Sequence, residues 1–343
     1  MEQGLPFVTA MIVVRNEENY ISKAVLSLLN QNYPKDKMEL LIIDGVSEDQ
    51  TVEKAKSAVE AYEKNWEKVQ VKYLRNTKKN LASGWNMGIL EAKGDFVVRI
   101  DAHAQADPEL LLKGIKILMS KPEVACVGGC LETESLTERG RIIADVLSSP
   151  FGVGNSKFRY SQNSGYVDTV AYGIYRKLIF EQAGYFNEEF QRNQDNDMHG
   201  RIKKCGGKFY LDASIKNIYH SRETVKGMMK QGFGNGKWTV IGIRKSESRG
   251  GISLRHLVPL FFVSTQILLL FGSLFSKFFR FMWILLYASY VGAAIYFALK
   301  KTRNFCKVIM MTGLYWLLHM SYGMGSLVEV VHKNQEIKES KIS

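Results

Sequence analysis

Five short apolar runs, separated by stretches of helical periodicity, constrain the fold of the chain up to Val127. Strands alternating with helices through short connections are typical of a mostly parallel sheet covered on both faces. In such sheets, ligands bind beyond the carboxyl ends of the strands. The fold class is therefore α/β, with a site at that edge. The predicted strands are Phe7–Val14, Met38–Ile43, Val69–Leu74, Phe96–Ile100 and Val124–Val127.

Polar side chains follow three of these strands at the predicted ligand edge. Arg15 and Glu17 follow the first strand, Asp44 the second, and Asp101 and His103 the fourth. Residues two apart in an extended chain point to the same face. A carboxylate and an imidazole placed in this way can hold a divalent cation against a diphosphate. The alternative is an ordinary strand end with solvated polar residues.

Several function classes are disfavoured by what the sequence lacks. No Gly-x-Gly-x-x-Gly follows the first strand, which argues against a dinucleotide dehydrogenase, and no Gly-Lys-Ser/Thr loop indicates a nucleoside triphosphatase. The cysteines lack zinc-ligand spacing and fit a reducing compartment. They are Cys126, Cys130, Cys205 and Cys306.

From Leu257 the chain becomes apolar, and three segments approach the roughly 20 residues that a helix needs to cross a bilayer. These segments are 257–275, 281–299 and 308–330. His319 lies in the third, which is therefore expected to be re-entrant or packed against the catalytic domain, because ionisable groups at membrane depth are costly. A buried helical domain is the alternative. The predicted organisation is a catalytic domain, a basic juxtamembrane linker, a transmembrane helical region and a polar tail: 1–243, 244–256, 257–331 and 332–343.

The net charge of +12 is concentrated beside the apolar segments. Anionic lipid headgroups and the positive-inside rule explain this placement better than nucleic acid does. Membrane lipids are therefore predicted partners and nucleic acid is not. The chain is predicted to be an integral protein of the plasma membrane with its catalytic domain in the cytoplasm. The flanking basic residues are Arg244, Lys245, Arg249, Arg255, Lys300, Lys301, Arg303 and Lys307.

Motifs spread over roughly residues 6–240 resemble those of family-2 glycosyltransferases, which have the nucleotide-sugar-binding GT-A fold. Glycine replaces the second acidic residue of one motif at Gly45, and His103 stands where most members have aspartate. The Asp-Ala-His form, the passage from Phe151 to Ser156 and the apolar tail resemble the succinoglycan-type exopolysaccharide glycosyltransferases. The matching segments are Val13 to Glu18, Ile43 to Thr51, Asn80 to Asn86 with Gly94-Asp95, and Asp101-Ala102-His103.

The resemblance implies a GT-A-like fold with a mostly parallel central sheet, followed by a C-terminal helical membrane region. It also implies a site for a nucleotide-diphosphate sugar, with a UDP-sugar as the first expectation. Asp101 with His103 would hold Mg²⁺ or Mn²⁺, and direct contact of His103 with a phosphate is the alternative. Helix capping is the alternative role for Glu17 and Asp44. The implied donor-binding residues are Arg15, Glu17, Asp44, Asn86 and Asp101.

The segment Asn193-Gln194-Asp195-Asn196-Asp197 resembles the place where the family has a Glu-Asp pair. The family's aspartate is the catalytic base, so Asp195 is the predicted base and Asp197 its rival. One base acting in a single displacement inverts the anomeric configuration. Capping of the following helix is the alternative for both aspartates.

Residues Gln231 to Trp238 resemble the Gln-x-x-Arg-Trp motif of processive members, with longer spacing and lysine in place of arginine. Gln231, Lys237 and Trp238, together with Asp197, are expected to face the acceptor or the diphosphate. For Trp238 the alternative is an aromatic anchor at the membrane interface.

The predicted function is that of a membrane-bound, inverting, metal-dependent hexosyltransferase. It would move a sugar from a nucleotide-diphosphate sugar to a lipid-linked or polysaccharide acceptor in exopolysaccharide or cell-surface glycan synthesis. A processive polysaccharide synthase is one alternative, although three candidate helices are few for a channel. A non-catalytic membrane scaffold is another, and the presence of Asp44, Asp101 and Asp195 together argues against it.

Overall fold

The structure of the protein, a computed structural model, describes residues 4–221, 223–245 and 254–339. The chain divides into two compact units. The first comprises Met1–Glu132 and Ser156–His220, and the second Thr133–Asn155 and Ser221–Ser343. Much of the predicted basic linker and part of the polar tail lie outside the described residues. The domain limits expected from the sequence stay a prediction.

A single sheet contains all the strands of the described residues. The strands run in the order β3-β2-β1-β4-β8-β6-β9-β5, with β7 paired to β9. They are β1 (Val8–Val14), β2 (Met38–Asp44), β3 (Gln70–Arg75), β4 (Phe96–Asp101), β5 (Ala104–Gln105), β6 (Val124–Glu134), β7 (Gly165–Val167), β8 (Ala171–Arg176) and β9 (Lys208–His220).

The α-helices separate these strands and then follow them along the chain. They are α1 (Ile21–Leu29), α2 (Thr51–Glu63), α3 (Leu81–Glu91), α4 (Leu110–Ser120), α5 (Glu138–Leu147), α6 (Pro150–Val153), α7 (Leu178–Ala183), α8 (Gln194–Lys204), α9 (Val225–Lys245), α10 (Val258–Gly272), α11 (Lys277–Lys301) and α12 (Phe305–Glu339).

The α/β fold predicted from the sequence is confirmed, and parallel pairing joins β3, β2, β1 and β4. The strand predicted at Val124–Val127 is longer than expected and belongs to β6, which runs antiparallel to β8. The cause is that β8, a strand from much later in the chain, lies between β4 and β6 and runs against both. Apolar composition alone does not reveal this direction.

Alternation of side chains along the parallel strands builds a core on each face of the sheet. Ile12 of β1 packs with the residues of α1 and α2 in one buried cluster, whereas Met11 packs with Trp85 of α3 in the other. All seven residues of β1 are buried, because both faces are covered.

The register of the parallel strands brings their polar carboxyl ends together. Val14 pairs with Asp44 across β1 and β2, and Val13 pairs with Asp101 across β1 and β4. Arg15 follows directly after β1. The side chains that the sequence predicts at the ligand edge therefore lie at one edge of the sheet.

The second unit is helical, and many large apolar side chains on α10 and α11 are exposed. Among the described residues, only α11 has both the length and the apolar composition of a membrane span. α11 includes the predicted segment 281–299. The predicted segment 257–275 is mostly α10, an apolar helix of 15 residues, and 308–330 lies inside the longer α12.

α9 and α12 approach each other closely at small residues. Ser326 Oγ donates to Gly236 O at 2.9 Å, and a side chain at Gly325 would meet Phe233 O at 2.1 Å. In α12, His319 Nε2 lies 2.9 Å from Phe151 O and Nδ1 lies 2.8 Å from the Tyr290 hydroxyl. This histidine is therefore hydrogen-bonded to protein groups within the second unit, and the placement expected for segment 308–330 stays a prediction.

Candidate active site

Asp44 ends β2 and organises the turn that follows it. Its carboxylate accepts hydrogen bonds from the Ser47 hydroxyl at 2.6 Å and from Ser47 N at 3.1 Å. Val46 lies between them with φ of 60°, a left-handed conformation that strains a β-branched residue by roughly 1–3 kcal/mol. α2 begins only at Thr51, so Asp44 caps this turn and not the helix, which was the alternative role for this residue.

The loop after β1 is bound to that turn. Asn16 has φ of 54°, its Oδ1 accepts from Glu48 N at 2.9 Å, and its own N donates to Ser47 Oγ at 3.0 Å. Arg15 lies exposed, with Nη2 3.8 Å from Glu48 Oε1. α1 begins at Ile21, so Arg15 and Asn16 belong to a loop that precedes the helix.

Asp101 is the last residue of β4, and one of its carboxylate oxygens accepts a hydrogen bond. Asp101 Oδ2 accepts from the Tyr172 hydroxyl at 3.2 Å. Burial, followed by the negative charge of Asp101, raises the pKa of Tyr172 well above its usual value, so the phenol remains a donor. No other described group binds the Asp101 carboxylate, which leaves Oδ1 open.

His103 lies in the turn between β4 and β5. Its Nδ1 is 3.7 Å from Glu17 Oε1, and its ring packs edge-on against Tyr219 with 5.4 Å between centroids. Within the described residues, no protein group binds His103 Nε2. No group of three or more His, Cys, Asp or Glu suited to a metal occurs in the described part of the chain. Asp101 and His103 could therefore supply two ligands to a cation, with the others coming from substrate and water.

Arg159 was not predicted from the sequence. Its Cζ lies 5.2 Å from the ring centroid of Tyr219, the residue that also contacts His103. Its Nη1 is shielded from solvent and has no hydrogen-bond partner among the described residues. A shielded guanidinium nitrogen that lacks an acceptor is costly, and an anion bound to it would remove that cost.

Asp195 lies in the first turn of α8, after Asn193 at φ of 60°. Its Oδ1 is 2.5 Å from Arg99 Nη2. The Asp195 side chain keeps 42% exposure, so the ion pair holds one edge of the carboxylate while part of it stays open. Enclosure by protein atoms raises the pKa of Asp195, the charge of Arg99 opposes this effect, and the nearby Asp101 adds to it.

Arg99 is the main residue that sequence reasoning missed. It lies on β4 two positions before Asp101, and its side chain is 6% exposed. Burial opposes its charge, but Asp195 and Asp101 raise the pKa of Arg99 above its usual value, so it stays ionised. The available signal was a single arginine inside the apolar run Phe96–Ile100.

Asp197 and Asn86 make contacts that their predicted substrate roles do not explain. Asp197 is 2% exposed and accepts from Arg201 Nε and Nη2 at 3.0 and 2.9 Å. Asn86 binds the backbone of Phe186 from both ends of its amide, each at 2.8 Å. Each side chain is thus bound to protein in this structure, and the predicted contacts of Asp197 and Asn86 with substrate stay a prediction.

α8 is fixed to the sheet by a second contact, four residues after Asp195. His199 Nε2 lies 2.8 Å from the Tyr175 hydroxyl, and Nδ1 lies 2.7 Å from Thr169 Oγ1. Burial, together with the charge of Arg99, lowers the pKa of His199 well below its usual value. A neutral imidazole, hydrogen-bonded at both ring nitrogens, thus fixes the helix that carries Asp195.

Gln231, Lys237 and Trp238 all lie on α9 in the second unit. Lys237 Nζ is 3.8 Å from Glu329 Oε2 of α12. Their predicted contacts with acceptor or diphosphate stay a prediction.

The first unit therefore gathers three carboxylates with distinct settings. Asp44 shapes a turn, Asp101 has an open oxygen at the end of β4, and Asp195 is paired with Arg99 of the same strand. This arrangement can hold a cation beside an anionic ligand and place a partly exposed carboxylate near it.

Comparisons with known proteins agree with this arrangement. Residues 9–206 match the family model "Glycosyl transferase family 2". A Methanococcus voltae protein, a dolichyl N-acetyl-α-D-glucosaminyl phosphate 3-β-D-2,3-diacetamido-2,3-dideoxy-β-D-glucuronosyltransferase, is 32% identical over 70% of this chain and 74% of its own length. The succinoglycan biosynthesis protein ExoA of Rhizobium meliloti is 24% identical over 71% of this chain and 72% of its own.

A solved structure extends the likeness over both units. The mannosyltransferase PcManGT from Pyrobaculum calidifontis, solved with GDP-Man and Mn²⁺, superposes with a TM-score of 0.64 at 18% identity. The match covers 95% of this chain and 88% of that one, which shows a shared fold. The family expected from the strand-end motifs is confirmed: the chain belongs to glycosyl transferase family 2.

Proposed function

We propose that the protein is a membrane-bound, inverting, metal-dependent hexosyltransferase that moves a sugar from a nucleotide-diphosphate sugar to a lipid-linked acceptor. Glycosyltransferase activity follows from the family, whose relatives here act in lipid-linked or polysaccharide glycan synthesis. The observation that carries the proposal is the Arg99–Asp195 ion pair of 2.5 Å, which holds the proposed base on the strand that ends at Asp101.

The nucleotide would occupy the edge formed by the loops after β1 and β2. Arg15 and Glu17 lie on the first loop, and Asp44 holds the turn of the second. Asp44 keeps further acceptor capacity beyond its bonds to Ser47, since a carboxylate offers about four lone-pair sites. A ribose or base donor group fits that capacity, and a UDP-sugar is the first donor to test.

Asp101 and His103 are the proposed metal ligands, because Asp101 Oδ1 and His103 Nε2 have no protein partner in the described part of the chain. The donor set of one oxygen and one nitrogen suits Mn²⁺ or Mg²⁺. A divalent ion bound there would neutralise charge on the donor diphosphate as a Lewis acid. Arg159 would contact the same diphosphate, which supplies the acceptor that its shielded Nη1 lacks among the described residues.

Asp195 is the proposed general base. Its open edge would accept the proton of the acceptor hydroxyl as that oxygen attacks the anomeric carbon and the bond to the diphosphate breaks. One displacement by one base inverts the configuration. Asp197 is the weaker candidate for this role, since its carboxylate is 2% exposed and bonded to Arg201.

The acceptor is proposed to be lipid-linked. The M. voltae relative carries a dolichyl-linked substrate in its name, and α11 has the length and composition to anchor the chain in a bilayer. An integral membrane location with the catalytic part in the cytoplasm brings the site close to such an acceptor. Gln231, Lys237 and Trp238 of α9 are proposed to face the acceptor or the diphosphate, in a chain organised as 1–243, 244–256, 257–331 and 332–343.

The test compares Asp195→Asn with Asp36→Asn, a change at an exposed carboxylate of the first unit. Full-length protein in detergent is titrated with UDP- and GDP-sugars in Mn²⁺ or Mg²⁺, and transfer to a polyprenyl-phosphate-linked acceptor is measured. We expect Asp195→Asn to keep donor affinity and to lose about 10²- to 10⁴-fold in kcat, with Asp36→Asn unchanged. Normal transfer by Asp195→Asn would contradict the base assignment.

A further inference from the structure

We propose that Arg99 is a positioning residue for sugar transfer: from within β4 it fixes the direction in which the Asp195 carboxylate points. This inference rests on the proposed function, because it takes Asp195 as the base. Arg99 itself is enclosed by protein, with 6% side-chain exposure, and acts through Asp195.

In the ion pair, the arginine is buried and the carboxylate is partly exposed to solvent. Arg99 Nη2 lies 2.5 Å from Asp195 Oδ1, and the exposure of the two side chains is 6% and 42%. The buried cation therefore anchors one oxygen and leaves part of the carboxylate accessible. An ion pair this close, with its cation enclosed by protein, restricts rotation of the carboxylate.

Two aromatic rings fix the guanidinium in turn. Arg99 Cζ lies 3.6 Å from the centroid of the Trp85 ring and 5.4 Å from that of Phe186. Both rings are at least 97% buried, and the Phe186 backbone is held at both its N and O by the amide of Asn86. A chain of contacts thus runs from Asn86 through Phe186 to Arg99 and Asp195, which gives Asn86 a supporting role.

Stability alone does not explain an arginine at this position. Arg99 Nε and Nη1 are shielded and have no hydrogen-bond partner among the described residues. A buried charge with unbonded nitrogens is costly, and apolar residues of similar volume often pack as well or better. The neighbouring positions Val97, Val98 and Ile100 are all apolar and fully buried.

β4 also sets the distance between the two halves of the site. Arg99 and Asp101 are two residues apart in one strand, so both point to the same face of the sheet. The strand that presents the proposed metal ligand therefore also holds the proposed base. Reacting groups lose rate steeply when misplaced by about 1 Å, which makes such rigidity useful.

The test uses full-length Arg99→Met and Arg99→Lys, with Arg176→Met as the matched control. Arg176 also stacks on a ring, that of Phe96 at 5.5 Å, but it bonds backbone carbonyls instead of the base. We expect Arg99→Met to lose about 10- to 100-fold in kcat, with donor KM and Mn²⁺–UDP affinity within about twofold of the parent. Arg99→Lys recovers part of that loss, because it restores the charge. Arg176→Met keeps kcat.

A double variant separates positioning from general damage. If Arg99 acts through Asp195, then Arg99→Met in an Asp195→Asn background slows transfer no further, whereas independent effects multiply. Multiplying losses, or normal kcat in Arg99→Met, would overturn the inference. Active Asp195→Asn would instead overturn the proposed function.

Asn86→Ala keeps the inference testable if Arg99→Met fails to fold. We expect it to lower kcat about tenfold with unchanged Mn²⁺–UDP affinity, because it frees Phe186 and thereby loosens Arg99. Weakened nucleotide binding with normal kcat would assign Asn86 to the donor site and overturn its place in this chain of contacts.

Discussion

The two units of the protein differ in how many large apolar side chains their helices expose, although each unit has a buried apolar cluster. In the first unit, apolar residues fill two clusters on either face of the sheet, and the functional candidates are polar groups at strand ends. In the second unit, α10 and α11 expose many of theirs, including Phe261, Leu268 and Leu285. The first pattern suits folding around a core in water, and the second suits contact with lipid.

The same contrast applies to charge. Within the first unit, two buried charged side chains are each paired near the candidate site: Arg99 with Asp195, and Asp197 with Arg201. In the second unit, Lys300 and Lys301 lie in the last turn of α11. The two units therefore differ in where their charged side chains lie on the helices and strands, as well as in how many apolar side chains they expose.

The largest expected effect comes from placing charge on the exposed face of α11. Ile284 and Leu285 are 54% and 50% exposed. Changing both to lysine should prevent stable insertion, because each lysine within a spanning helix costs about 2.5–3.5 kcal/mol. Resistance of the membrane-bound protein to alkaline extraction measures this. The paired control is lysine at Trp66 and Leu90, which are 65% and 63% exposed in the first unit. If alkaline treatment extracted the control and left the α11 variant in the membrane, α11 would not be the segment that anchors the protein.

Truncation of one leucine in each unit sharpens the contrast. Leu28 of α1 is fully buried, and Leu268 of α10 is 69% exposed. Leu28→Ala should cost about 2–5 kcal/mol of unfolding free energy. Leu268→Ala should cost less than about 0.5 kcal/mol. Thermal unfolding of detergent-solubilised protein gives both values, and equal losses would mean that Leu268 is covered in the folded protein.

Glycines give a third contrast. A side chain at Gly94 would meet Thr9 N at 2.6 Å and Phe7 O at 2.8 Å, both backbone atoms, whereas one at Gly292 of α11 meets nothing within 4 Å. Gly94→Ala should therefore cost about 1–3 kcal/mol of stability, and Gly292→Ala should gain up to about 1 kcal/mol. The same unfolding measurement applies. An unaffected Gly94→Ala would show that β1 and β4 can move apart there.

The sequence predicts the strands and their polar ends, but not the contacts that packing brings about. The strands, their polar ends and the family follow from local patterns, because parallel strands must bring Asp44 and Asp101 to one edge. The Arg99–Asp195 pair joins residues far apart in the chain, and no local pattern encodes it. Matching a motif located Asn86 and Asp197 in the fold, but their partners, Phe186 and Arg201, depend on packing that periodicity does not contain.

The smallest expected effect on stability comes from neutralising one carboxylate beside a helix N-terminus in each unit. Glu223 accepts from the Thr137 hydroxyl at 2.6 Å, the Ser135 hydroxyl at 2.7 Å and Leu136 N at 2.9 Å, just before α5. The Thr137 hydrogen bond is the largest contribution that lowers the pKa of Glu223, to about 2. Glu223→Gln should therefore cost about 1 kcal/mol at neutral pH.

The pH dependence follows from the sign of that shift. Because the folded pKa of Glu223 lies below the usual value of 4.5, its stabilisation is complete above that value and is lost as the pH falls toward 2. The gap in unfolding temperature between parent and Glu223→Gln should thus narrow below pH 4.5. Glu53→Gln, an exposed site in the first turn of α2, should change stability by less than about 0.5 kcal/mol. If the difference in unfolding temperature between parent and Glu223→Gln stayed constant on acidification, the loss of stability would come from the amide group itself and not from the loss of the negative charge.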